Sequence, residues 1–152
     1  MTDFSSSENK AFGMARLFTI NILVAAPILF LFISRFYNQP VFESENLNLI
    51  TIVSLAFSAF APLLIPVVRR AIVNARNVMK EKGRSPENAV LTSFIVFSSI
   101  IELSYILGLV NFFLSNELQR LLYFYPIGIF WTIKYWPTAE RFKQLLNELK
   151  AP

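Results

Sequence analysis

The feature that most constrains this chain is an apolar run from Asn88 to Asn116 that contains one charged residue, Glu102, near its midpoint. A helix rises about 1.5 Å per residue and the hydrocarbon core of a bilayer is about 30 Å thick, so roughly 20 residues cross it. The run therefore predicts a membrane-spanning helix over residues 88–115, with a carboxyl group close to the bilayer centre. Ionisable groups at that depth are costly and usually contact a partner, which makes Glu102 a candidate functional residue.

Three further apolar runs extend this prediction to an all-α polytopic membrane protein with four transmembrane helices in a single domain, 1–152. Hydrophobic residues make up 55 % of the chain, and the charges fall almost entirely between the runs. Solid runs of this kind favour helices, whereas a transmembrane β-barrel would show alternation. The predicted spans cover about residues 14–36, 47–69, 88–115 and 120–136.

Prolines fall inside two of the predicted spans. Pro27 predicts a kink in the first helix and not a break, because neighbouring groups in a membrane protein can satisfy the freed carbonyl. Pro62 and Pro66 predict a bend near the end of the second helix. Small residues close to this bend would let another helix approach closely. The predicted packing residues are Ser54, Ala56, Ser58, Ala59 and Ala61.

Two segments outside the spans are predicted to lie at the membrane surface. Residues 70–83 keep helical character, and the basic residues around them either contact anionic lipid or a partner protein, or serve only to set topology. Residues 138–150 predict an amphipathic helix with apolar side chains at i, i+3, i+4 and i+7. The candidate contact residues are Arg69, Arg70, Arg76, Lys80, Arg84, Phe142, Leu145, Leu146 and Leu149.

The distribution of basic residues predicts the orientation of the chain. Twelve of the fourteen Lys and Arg residues fall on the side of the N-terminus, and the loops on the other side hold only Arg35 and Arg120. Because basic residues are retained in the cytoplasm, both termini are predicted to be cytoplasmic, or on the equivalent side of an organelle membrane.

The chain contains neither cysteine nor histidine. Their absence excludes a disulfide framework and a thiolate metal site, and it removes the usual haem and zinc ligands and the usual general base. We therefore expect no enzyme activity, no metal and no cofactor. The net charge of +4 reports topology and does not indicate nucleic acid. The expected partners are the lipid bilayer and other membrane protein subunits or further copies of the chain.

The segment Arg84-Ser85-Pro86-Glu87, followed by a membrane helix with Glu102 and then Gly108-Leu109-Val110, resembles the second half of a rotor proteolipid, subunit c of the rotary ATP synthases. In that family a mid-membrane Asp or Glu binds the transported proton or sodium ion. The resemblance implies that Glu102 is the ion-binding carboxylate and that Arg84 and Pro86 are loop elements. The chain is also similar to uncharacterised small bacterial four-helix membrane proteins, which implies their architecture and no known activity. The membrane is expected to be the bacterial inner membrane.

Three roles for Glu102 stay open. Its carboxyl group can hydrogen-bond a neighbouring helix in a structural role, exchange a proton or sodium ion, or dock to a partner subunit. Ser98 and Ser99, one turn before it, and Tyr105, three residues after it, are candidate partners on its face. The sequence thus predicts a small membrane subunit, accessory or scaffold protein of a membrane complex, or alternatively a protein that moves protons or sodium ions through Glu102.

Overall fold

The computed structural model describes residues 4–37, 46–75, 83 and 85–151, and the regular structure within them is helical throughout. Within the described residues the helices are Ser6–Ser34 (α1), Leu47–Asn74 (α2), Pro86–Ser115 (α3), Leu118–Leu122 (α4), Tyr125–Tyr135 (α5) and Ala139–Lys150 (α6). The helices α1, α2 and α3 are long and apolar enough to cross a membrane, which indicates an integral membrane protein.

The first helix begins earlier than predicted because the chain supplies a complete N-terminal cap. Ser5 and Glu8 form a capping box that satisfies two free backbone donors. Further along, Asn21–Ala25 is a π-helical segment just before Pro27. The wider turn accommodates the proline, so α1 continues without a break, as predicted.

The second helix changes type where its prolines lie. A 3₁₀ turn, Ala61–Leu64, separates Leu47–Phe60 from Ile65–Asn74. Pro62 and Pro66 lack the backbone donors that a continuous α-helix needs, which explains the local change. The predicted surface segment 70–83 is described only through residue 75 and at residue 83.

The third helix is the central element, and the other helices pack around it. Ser85 caps it by accepting a hydrogen bond from the Asn88 backbone N–H, and Pro86 occupies the first turn. At the other end, Asn116 takes a left-handed conformation with φ 58° and ends the helix. The helices α1 and α2 turn many large apolar side chains outward, such as Phe32 and Phe60, whereas α3 exposes fewer, such as Ile106.

The predicted fourth span, 120–136, is divided into α4 and α5. The division falls at residues 123–124 because Pro126 fits the first turn of a new helix better than the middle of an old one. Arg120 at the start of this stretch contacts Thr51 near the beginning of α2, whereas Lys134 at its end lines the same cavity as Arg69 near the end of α2. The two short helices therefore return the chain along the length of α3.

The last helix packs its apolar stripe inside the protein. Thr138 caps α6, and the ring of Phe142 lies 5.9 Å from Phe4, 5.5 Å from Phe12 and 6.3 Å from Phe94 between centroids. The stripe was expected to meet lipid or a partner protein, and the structure corrects this expectation. Aromatic side chains of the same chain cover the stripe, because burial of apolar surface within the chain is favourable. The buried stripe consists of Phe142, Leu145, Leu146 and Leu149.

Candidate functional site

Glu102 lies at the edge of the exposed face of α3. Ser99 and Ile106, one turn to either side, are exposed, and Glu102 itself is half-buried. Among the described residues its carboxyl group makes no hydrogen bond and no ion pair. A carboxyl group without a partner in the middle of a helix that can cross a membrane is costly. The chain thus presents Glu102 outward and unsatisfied.

Two of the three hydroxyl groups predicted to contact Glu102 form hydrogen bonds with other helices instead. Ser98 is buried, and its Oγ lies 3.1 Å from Oγ1 of Thr19 on α1. Tyr105 is buried against α5, where its hydroxyl lies 3.5 Å from Thr132 Oγ1. Ser99 is exposed. The structure therefore does not assemble Ser98, Ser99, Glu102 and Tyr105 into one ion-binding group, because α1 and α5 supply the hydrogen-bond partners of Ser98 and Tyr105.

A network of hydrogen-bonded polar side chains lies near the C-terminal end of α3, where this helix packs against α2. Thr51 Oγ1 donates to Asn111 Oδ1 over 2.9 Å, and both residues are buried. Arg120 donates to Thr51 Oγ1 over 2.8 Å and to the Leu47 carbonyl over 3.2 Å. It also donates to Asn48 Oδ1 over 3.0 Å. Each polar side chain named in this network has a hydrogen-bond partner. The network therefore stabilises the junction of α2, α3 and α4 and offers no free polar group to a ligand.

The predicted small-residue seam on α2 is partly a packing face. Ser58 and Ala61 are buried, and Ser104 Oγ donates to the Ser58 carbonyl over 3.4 Å. Ala56 is exposed and takes no part in this contact. The small residues therefore pack against α3 on one side of α2 only. The half-buried members are Ser54 and Ala59.

A cavity of about 310 Å³ opens at the end of the molecule where both termini lie. We call it the interface cavity, and α2, α3, α5 and α6 enclose it. Its wall combines three basic side chains, Arg69, Lys134 and Arg141, with aromatic and aliphatic ones. The residues around it are Ile65, Pro66, Arg69, Phe94, Phe97, Lys134, Tyr135, Arg141, Gln144 and Leu145.

Arg69 lines both the interface cavity and a wider depression of about 620 Å³, which Arg70 also lines. Its guanidinium group forms a two-pronged ion pair with Glu148, with Nη2–Oε1 at 2.5 Å and Nε–Oε2 at 3.2 Å. Arg69 and Arg70, predicted as lipid or partner contacts, thus line neighbouring openings. The other predicted basic contacts, Arg76, Lys80 and Arg84, lie outside the described residues.

The sequence did not indicate that α5 and α6 contribute basic side chains to the interface cavity. Lys134 follows an aromatic segment, and its Nζ lies 4.6 Å from the Trp131 ring centroid. Arg141 donates to the Trp136 carbonyl over 3.1 Å. In the sequence, Lys134 and Arg141 lie on either side of Trp136-Pro137. Only the folded structure shows that they line the same cavity as Arg69.

Comparisons with protein-family models, with curated proteins and with solved structures give no match. The fold is that of a helical integral membrane protein, and its central helix α3 carries a half-buried carboxyl group, that of Glu102.

Proposed function

We propose that the protein is a small integral membrane subunit, accessory or scaffold protein of a membrane complex, and that it docks through the Glu102 face of α3. The observation that carries this proposal is the unpartnered carboxyl group of Glu102 between the exposed residues Ser99 and Ile106. The partner is a membrane helix of another protein that offers a hydrogen-bond donor at the same depth. Docking would remove the cost of leaving the carboxyl group in hydrocarbon.

A second candidate function is the translocation of protons or sodium ions through Glu102. The same outward position supports it, since an exchanging carboxyl group must be reachable from outside its own helix. The resemblance of residues 84–110 to a rotor proteolipid points in the same direction. Further carboxylates along the described part of α3 are confined to Glu87 in its first turn, so a relay within this helix would rest on Glu102 alone.

We further propose that the chain crosses the membrane four times, with α4 and α5 together forming the fourth crossing. Both termini would then be cytoplasmic, in a bacterial inner membrane. The return path of residues 118–135 along α3 supports this topology, as does the excess of basic residues on the side of the termini.

Two substitutions of Glu102 separate docking from ion transport. Glu102→Gln keeps the shape and can still donate and accept hydrogen bonds, whereas Glu102→Leu can do neither. Docking predicts that Gln stays in the complex on blue-native electrophoresis and Leu is released as a folded chain. Ion transport predicts that both variants assemble and both lose proton or sodium flux. Glu140→Gln, which alters an exposed carboxyl group of α6, is the control.

Carbodiimide labelling gives an independent readout of the same face. The isolated chain should react at Glu102 because its carboxyl group is accessible and lies among apolar residues. The assembled complex should be protected if a partner helix covers it. Unchanged migration and flux in both Glu102 variants, together with equal labelling in the two states, would reject Glu102 as a functional site.

Single cysteines test the topology without background, because the chain has no cysteine of its own. We expect Ser6→Cys and Asn147→Cys to react with an impermeant maleimide from one side of the membrane, and Glu117→Cys from the other. All three positions are exposed. Opposite labelling of residues 6 and 147 would show that α4 and α5 do not cross.

A further inference from the structure

The interface cavity combines charge and apolar surface in a way that the docking role of Glu102 does not use. Arg69 is neutralised by Glu148. Lys134 and Arg141 have no acidic partner within the part of the chain that the structure describes. Their two positive charges therefore face the opening uncompensated, and they attract an anion.

The floor of the cavity is apolar. Phe94 and Phe97 of α3 and Leu145 of α6 are almost fully buried beneath the basic rim. A free inorganic anion would gain nothing from contact with these side chains. A ligand with an anionic head and a hydrocarbon tail would use the rim and the floor together.

The position of the cavity along the helices also fits an amphiphile. Arg69 follows directly on the apolar part of α2, which ends at Val68. Trp131 and Tyr135 of α5 are of the aromatic types that collect at headgroup depth. The rim therefore lies where the apolar surface gives way to charge, which is where lipid phosphates are found in a bilayer.

We propose that the interface cavity binds one anionic phospholipid, with its phosphate between Lys134 and Arg141 and the upper part of an acyl chain along Phe94 and Phe97. Its volume of about 310 Å³ lies at the lower end of the range for small-molecule sites. This volume suits a headgroup and the first part of a chain, with the remainder lying in the surrounding bilayer.

The test is native mass spectrometry of the full chain in a non-ionic detergent. Phosphatidylglycerol and phosphatidylcholine with identical acyl chains are added separately to the wild type. We expect one phosphatidylglycerol molecule to remain bound, with clear preference over phosphatidylcholine. Equal retention of the two lipids would overturn the assignment of an anionic headgroup. Displacement of the lipid by inorganic phosphate at comparable concentration would overturn a lipid in favour of a free anion.

A charge variant and its matched control locate the site. Lys134→Gln/Arg141→Gln should weaken phosphatidylglycerol binding by about thirtyfold, from the usual contribution of each basic residue beside an anionic lipid. Lys10→Gln/Arg16→Gln removes the same charge from exposed positions of α1 at the same end of the molecule and should leave binding nearly unchanged. Equal losses in the two double variants would show non-specific attraction and overturn the proposed cavity.

A third variant fills the cavity without removing a charge. Gln144 lines the opening and is exposed, so Gln144→Trp should fold normally and block the ligand. We expect it to lose bound phosphatidylglycerol while circular dichroism and gel filtration match the wild type. Full lipid retention in this variant would place the lipid elsewhere, even if the double charge variant does not fold.

Discussion

Gly128 is the residue that lets α5 approach α3. A Cβ atom built at this position would lie 2.4 Å from Cζ and 2.6 Å from Cε1 of Tyr105. That ring is itself buried, and it packs edge-on against Tyr125 with centroids 5.3 Å apart. Because the ring cannot withdraw without disturbing α5, only a hydrogen atom fits at residue 128.

Gly128→Ala is therefore expected to destabilise the protein. Overpacking of this kind lowers the free energy of unfolding by about 1–3 kcal/mol. Gly13→Ala is the matched control, since a Cβ atom there has nothing within 4 Å. In a helix, alanine in place of an unconstrained glycine should add up to about 1 kcal/mol. Equilibrium unfolding of the purified chain in detergent measures both, and effects of the same sign would contradict this account.

At the residue scale, the sequence identified Glu102 but not its surroundings. Helical spacing alone puts Ser98 and Tyr105 near Glu102, and both are indeed on neighbouring turns. Their hydroxyl groups bond to Thr19, 79 residues away, and to Thr132, 27 residues away. Which hydroxyl finds which partner depends on how the helices are arranged around α3, and local periodicity carries no such information.

At the scale of elements, Arg120 of α4 joins that helix to the first turns of α2. Its guanidinium group is largely buried and donates to Thr51 and to the Leu47 carbonyl. Arg120→Gln should lower the free energy of unfolding by about 1–2 kcal/mol through lost charge-assisted hydrogen bonds. Arg35→Gln removes the same charge from an exposed side chain, and denaturant titration should show it to be near neutral. Equal losses would mean that net charge, and not the network, sets stability.

The α6 helix is held by its buried stripe, so a charge on that stripe should release it. Leu146 is 2 % exposed. Leu146→Glu is expected to cost about 3 kcal/mol, because the carboxylate must be buried without a partner or the helix must detach. Asn147→Glu adds the same charge at the neighbouring, exposed position. Hydrogen exchange over residues 139–150 should accelerate only in the first variant, and similar exchange in both would mean that α6 is not docked.

Hydropathy predicted the long helices well because a membrane-length apolar run has few alternatives. It did not predict that the fourth run divides at residues 123–124, where Pro126 sets the start of α5. The spacing of apolar residues in α6 indicated which face of this helix is apolar, but not which residues pack against that face. The cover comes from Phe4, Phe12 and Phe94, which no local pattern connects to residue 142.

At the scale of the whole molecule, Lys150 at the end of α6 forms ion pairs with the first turns of α1 and α3. Lys150 Nζ lies 2.9 Å from Oε1 of Glu8 on α1 and 3.5 Å from Oε1 of Glu87 on α3. The distribution of basic residues predicts that all three segments lie on one side of the membrane. The pairing of residues 8 and 150, which are 142 positions apart, follows only from the assembled fold.

This contact predicts an acid-sensitive tie between the chain ends. The hydrogen bond from Lys150, followed by that from the Ser5 backbone N–H, holds the pKa of Glu8 below its ordinary value of 4.5. Glu8 lies in the polar first turn of α1, ahead of its apolar stretch. A carboxyl group with a lowered pKa stabilises the fold above its ordinary value, and this contribution is lost as the pH falls through the lowered value.

We therefore expect the difference in unfolding free energy between wild type and Glu8→Gln to shrink as the pH falls from neutrality to about pH 3. Other carboxyl groups titrate over the same range, and subtracting the variant removes their common effect. Glu140→Gln, at an exposed position of α6, should differ from wild type by a small amount that does not follow this trend. A difference for Glu8→Gln that stays constant across the range would show that the ionised carboxylate does not hold α1 to α6.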